Sequence, residues 1–334
     1  MSSTTKKLTG MVVGLALVIP LVLLMFISPA SRATPHDVPI GVAGPQQAVA
    51  QISAMLEQKQ PGAFEVTGFA TGEELQDAAR DRQVYGGFVV GPAAETVIAT
   101  GASPVVAGML TEIGEAMPGD ARVVDVAAPT ADDPRGAGFG SMILPVFMTA
   151  MALGMAAALV GRRRRVMAAL LPIGAAAVGA TAVGVAMWAG VLTGGFAGQW
   201  LAMTMGIWAT SALVAGIVSA IGPAGAGVAA LVVMLVGMPL AGVSAPREFL
   251  PSFFGTLGQS LPLGATGTAL RGAAFFNPSG LIGAGAGTAF LVLIAWVAVG
   301  YGLMQIRRSP ADPEAAVSVE GVSEQPEDRV PAFS

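Results

Sequence analysis

Five apolar runs, at 139–161, 166–190, 200–221, 228–243 and 281–306, constrain this chain more than any other feature, because none contains an Asp, Glu, Lys, Arg or His. A helix of about 20 apolar residues matches the hydrocarbon thickness of a bilayer. With 54% hydrophobic and only 11% charged residues, the chain cannot cover a water-exposed surface with polar groups. The runs therefore predict a polytopic α-helical membrane protein. A sixth run, 11–28, follows a polar start (1–10) with Lys6 and Lys7. It reads either as a retained first span or as a signal peptide cleaved near Ser28-Pro29-Ala30. Its length exceeds the usual apolar core of a signal peptide, about 7–15 residues, which favours retention and six transmembrane helices.

Orientation follows from the basic residues. Arg162, Arg163, Arg164 and Arg165 fill the very short loop between the second and third spans, and Arg307 and Arg308 follow the last one. The positive-inside rule puts both loops in the cytoplasm, together with Lys6 and Lys7. Both termini are then expected in the cytoplasm and residues 31–137 outside. The tail, 309–334, is rich in Asp, Glu, Pro and Ser, a disordered composition. Trp188 and Trp200 bracket an uncharged loop like interface anchors.

Residues 31–137 alternate in character like a folded α/β module. Strands are expected at 38–42, 64–69, 85–90, 96–100 and 122–126, with helices at 45–60, 71–83 and 103–117. The helix spacing is carried by Val49, Ile52, Met55 and Leu56 in the first, and by Thr71 with Glu74, a capping box, in the second. This order implies a small, partly parallel sheet with helices against it, inserted between spans one and two. Its titratable groups, Arg80, Asp81 and Arg82 among them, read as a solvated face. His36, the single histidine, cannot build a relay or a multi-histidine metal site by itself. No catalytic, cofactor or metal residues are assigned, and the net charge of −4 gives no reason to expect a nucleic-acid partner. The module is read as a binding or gating element.

Between the last two runs, 244–280 is too polar and too interrupted to cross a membrane. Phe249, Leu250, Phe253, Phe254, Leu257 and Leu261 recur at helical spacing, broken by Pro251 and stopped by Pro262, and a second short segment carries Thr266, Thr268 and Arg271. The segment is expected to lie at the external interface or to dip in and return. Around it stand Gly237, Pro239 and Gly242 at the end of an apolar run, then Pro246, Pro251, the pair Phe253 and Phe254, and Leu261, Pro262 and Gly264. In these residues the chain resembles the C-terminal region of ABC-2-type membrane permeases. Its span layout is similar to the YhgE/Pip-like branch of bacterial envelope proteins, which has a large external domain after the first transmembrane helix.

The resemblance implies the membrane subunit of an exporter for a hydrophobic or amphipathic cell-envelope substrate, working as a homodimer in the lipid bilayer. Gly237, Pro239, Gly242, Pro246, Pro251, Phe253, Phe254, Pro262 and Gly264 would form its external gate. Energy would come from a separate ATPase subunit, since the sequence has no phosphate-binding GxxxxGK[ST] loop. That subunit is expected to meet Arg162–Arg165. Two features depart from the family pattern: this loop is very short, and no amphipathic helix precedes the first span. The alternative is a non-transporting envelope scaffold or receptor that binds an external partner through the module.

Overall fold

In the computed structural model the described residues are 34–117, 122–160, 164–222, 224–242, 246–276 and 282–306, with a few isolated positions before 34. The expected first span and the C-terminal tail lie outside them.

The module is built on β1 (Val38–Ala43), whose residues Val38, Ile40 and Val42 are completely buried. Helix α1 (Gln46–Lys59) leads to β2 (Phe64–Phe69), which pairs parallel to one side of β1. Helix α2 (Gly72–Arg80) then carries the chain to β3 (Gly86–Val89), parallel on the other side. A tight antiparallel return makes β4 (Glu95–Ile98), and α3 (Pro104–Glu115) connects it to the parallel β5 (Arg122–Asp125). The sheet order is β2-β1-β3-β4-β5. Apolar side chains form two separate sets: Leu56, Phe88, Val106 and Leu110 pack with α1 and α3, while Leu75, Ala78, Ala79 and Val84 pack with α2. Helices thus cover both faces, which is what a buried, largely parallel sheet requires.

Among the described residues, four helices are long and apolar enough to cross a membrane, as expected of a membrane protein. They are α4 (Ala137–Val160), α5 (Arg164–Trp188), α6 (Phe196–Ile221) and, last in the chain, the helix Gly287–Gln305. In α6, 78% of the apolar window is buried inside the protein, against 33% or less in the other three, so α6 is the central post of the bundle. Close approaches hold it there: a Cβ on Gly154 of α4 would meet the Ser211 carbonyl, and one on Gly300 would meet Ala212. Small residues permit such contacts between helices in lipid. Gly179 packs on Thr204 and Gly283 on Gly272, whereas Gly184 and Gly287 face open space.

The expected span at 228–243 is a shorter apolar run of 16 residues, Gly225–Leu240, and is not among the four helices of spanning length. It consists of α7 (Gly225–Ala230), a wider π-helical stretch (Leu231–Gly237) and a last turn at Met238–Leu240. Past it come a 3-10 turn (Arg247–Phe249), α8 (Ser252–Gln259) and α9 (Pro262–Arg271), with the helix Gly287–Gln305 completing the series as α10. Helix α9 is buried almost all round, and its Leu263, Ala265, Ala269 and Leu270 belong to the core of the bundle. At about 1.5 Å per residue it is too short to span a bilayer.

Candidate functional site

Between Arg165 and Arg307 the chain has only three ionisable acidic or basic residues: Arg247, Glu248 and Arg271. All three line one cavity of about 490 Å³ where the module meets the short helices α8 and α9. The module contributes Arg82 and Tyr85 to the same walls, and α10 contributes Thr288, Ala289 and Val292.

Arg82 reaches the cavity because of how α2 ends. Arg82 N–H bonds to the Ala79 carbonyl at 3.1 Å and Gln83 N–H to the Ala78 carbonyl at 2.8 Å, the paired bonds of a Schellman termination. That motif needs a left-handed residue, and Arg82 takes it with φ 60°. Glycine is the ordinary occupant, and a residue with a side chain pays about 1–2 kcal/mol there. In return the guanidinium leaves the module surface. Its Nη1 donates to the Thr268 carbonyl of α9 at 3.1 Å and to the Ala284 carbonyl at 3.4 Å, and its Cζ lies 5.3 Å from the centre of the Phe276 ring. The expectation of a solvated face holds for Arg80, whose pair with Asp77 is exposed, and fails for Arg82. Burial holds the Arg82 guanidinium below its usual range, and the charge of Arg247 acts in the same direction.

Tyr85 is the second link. Its hydroxyl donates to Glu248 Oε2 at 2.8 Å, while Arg247 Nε donates to Oε1 of the same carboxylate at 2.8 Å. The Glu248 carbonyl accepts from the backbone N–H of His36, and Phe249 is buried in the apolar set between α1 and α3. The 3-10 turn Arg247–Phe249 therefore plugs into the module as an outlying piece of its core. Burial pushes the Tyr85 phenol well above its ordinary range, with the neighbouring Glu248 charge and the hydrogen bond adding to the effect. Arg247 is raised, first by its bond to Glu248.

On the bundle side, Arg271 ends α9. Its Nη1 donates to the Gly242 carbonyl at 3.2 Å, and its Cζ stands 4.6 Å from the centre of the Phe139 ring. Gln259 braces the wall beside it, donating to the Ala241 carbonyl at 3.2 Å and accepting from the Thr268 hydroxyl at 2.6 Å. Among the described residues the cavity is walled by three guanidinium groups against one carboxylate, with Thr256, Ser260, Thr268 and Thr288 around them.

The residues expected to form a gate do not come together as one. Gly242 and Pro246 line this cavity. Gly237 and Pro262 instead border a space of about 10 Å³ with Phe147 and Thr210, about the size of one water. Phe253 is 71% exposed, Phe254 is also exposed, and Pro251 faces outward with them. Gly264 packs against the Gly258 carbonyl, and Pro239 sits in the last turn before Leu240. Of the basic run, Arg162 and Arg163 lie outside the described residues, and Arg165 is exposed on the first turn of α5. Reading for periodicity missed Arg82, Tyr85 and Glu248. The available signal was the isolation of Arg247, Glu248 and Arg271 in a long uncharged stretch, since intramembrane or juxtamembrane charges need a reason to persist. No protein-family model, curated protein or solved structure matches the chain.

Proposed function

We propose that this chain is the membrane subunit of an exporter of the ABC-2 type, moving a hydrophobic or amphipathic envelope compound with energy from a separate ATPase. The observation that carries the reading is the cavity between the module and the re-entrant helices. It combines polar, cationic walls with the apolar side of α10, the mixed lining an amphipathic cargo requires. In this reading the module lies outside the cell, the arginine run inside, and two copies form the working unit. The spans α4, α5, α6 and α10 would be joined by 11–28 and by the shorter run Gly225–Leu240. The four apolar helices support membrane residence, and the charge asymmetry supports the orientation.

The test is affinity purification of the full-length chain from its native membrane. Stoichiometric recovery of an ATPase, lost when Arg162–Arg165 are replaced by serine, supports the exporter. Recovery of external proteins alone, unaffected by that replacement, assigns the chain to scaffolding. Labelling of the arginine loop from outside intact cells would reverse the orientation and remove the reading.

A further inference from the structure

We propose that the cavity walled by Arg82, Arg247 and Arg271 binds a phosphate group, carried on the headgroup of an amphiphile or present as the free ion. The inference needs this site but not the transport reading, because it concerns binding alone.

Charge is the first argument. Among the described residues, three guanidinium groups and one carboxylate line the cavity, and Glu248 is already engaged by Arg247 and by the Tyr85 hydroxyl. A surplus of guanidinium charge around one cavity favours an anion placed among those groups.

Geometry is the second. A guanidinium presents five donors in a planar fork, and the Arg82 contacts to Thr268 and Ala284 both use Nη1, so its remaining edge can serve a ligand. Several donors converging from different walls, with the hydroxyl of Thr288 nearby, suit the spread oxygens of a phosphate better than the two coplanar oxygens of a carboxylate.

The third argument concerns the route of an attached chain. Ala289 and Val292 line the cavity on α10, and the adjacent Leu291 and Ile294 of that helix are exposed, at 68% and 55%. A hydrocarbon tail leaving the cavity beside Val292 would run along this outward face. The backbone at Arg82 adds weight: a left-handed position that glycine fills without strain is given instead to a side chain that brings charge from the module into the cavity.

The experiment uses the full-length chain in nanodiscs of zwitterionic lipid. The probes are a fluorescent monoacylglycerol 3-phosphate, the matching monoacylglycerol and the matching fatty acid, with inorganic phosphate as competitor. The phosphate ester is expected to bind about tenfold or more tighter than either counterpart, with that preference lost in Arg82→Gln and kept in Arg80→Gln. Strong competition by millimolar inorganic phosphate assigns the free ion as the natural source; weak competition assigns the headgroup. Equal binding of the fatty acid, no binding of the phosphate ester, or an unchanged affinity in Arg82→Gln overturns the proposal. Should Arg82→Gln fail to fold, Arg82→Gly, which suits the same backbone, and the exposed Thr288→Val carry the same comparison.

Discussion

The Tyr85 hydroxyl donates to Glu248 Oε2 at 2.8 Å across 163 residues of sequence, tying the end of the module's second crossover to the turn that precedes the short helices α8 and α9. Replacing Tyr85 by Phe removes a bond to a charged acceptor, worth about 1.5–3 kcal/mol. The expected result is a lower unfolding midpoint and faster protease cleavage between module and bundle in the full-length chain. Its pH dependence has a definite sign. The folded state raises the phenol's pKa, so the contribution is fully present below the unfolded value of about 10 and is lost as pH rises above it. The wild-type chain should weaken in that alkaline range, and Tyr85→Phe should flatten this part of the profile; a matching alkaline loss in the variant would contradict the assignment.

Arg82 sets two effects against each other. In Arg82→Gly the left-handed position relaxes while the bonds to Thr268 and Ala284 are lost; in Arg82→Ala the bonds are lost and the strain stays. Alanine should therefore be the less stable of the two by about 1 kcal/mol, by thermal denaturation in detergent. Both should speed amide hydrogen exchange at the start of α10, where the Ala284 anchor is gone.

Two glycines of the same motif should respond oppositely to alanine. At Gly264 a new Cβ would meet the Gly258 carbonyl, which is backbone and cannot swing away, whereas at Gly237 the nearest atom is 3.8 Å distant. Gly264→Ala is expected to cost about 1–3 kcal/mol or more and to lower the yield of monodisperse protein. Gly237→Ala should change the melting temperature little or raise it slightly.

The bundle contains a compensated proline. Pro172 inside α5 has no N–H to offer the carbonyl of Ala168, four residues earlier. The Tyr301 hydroxyl of α10 donates to that carbonyl at 2.7 Å and accepts from Trp208 Nε1 of α6 at 3.2 Å. Tyr301→Phe should cost about 1–3 kcal/mol by leaving a carbonyl unsatisfied among apolar helices. Pro172→Ala restores the intrahelical donor, so the double variant should lose less than the two single changes added together. Strict additivity in that cycle would show that Tyr301 does not serve the Ala168 carbonyl.

Much of the layout was legible along the chain because the signals are local. Apolar runs of sufficient length mark α4, α5, α6 and α10, and the module's strands and helices start and stop within a few residues of the positions their periodicity predicts. The Thr71 cap is present, with Thr71 Oγ1 accepting from Glu74 N at 3.2 Å, although Glu74 reaches back to Ala70 N rather than to its own cap. Where the reading failed, the deciding partner was distant. Arg82 looked like a neighbour of the exposed Arg80, since nothing between them shows that one ends a helix in a left-handed turn and points into the bundle.

Composition and run length alone determined that this chain belongs in a membrane, because burying uncharged helices in lipid depends on each segment's own hydrophobicity. The site was decided only in three dimensions. Its cationic walls come from residues 82, 247 and 271, its braces from 85 and 248, and its apolar side from 289 and 292. Electrostatic and packing energies depend on separation in space, and no spacing along the chain encodes which of these groups the folded backbone brings face to face.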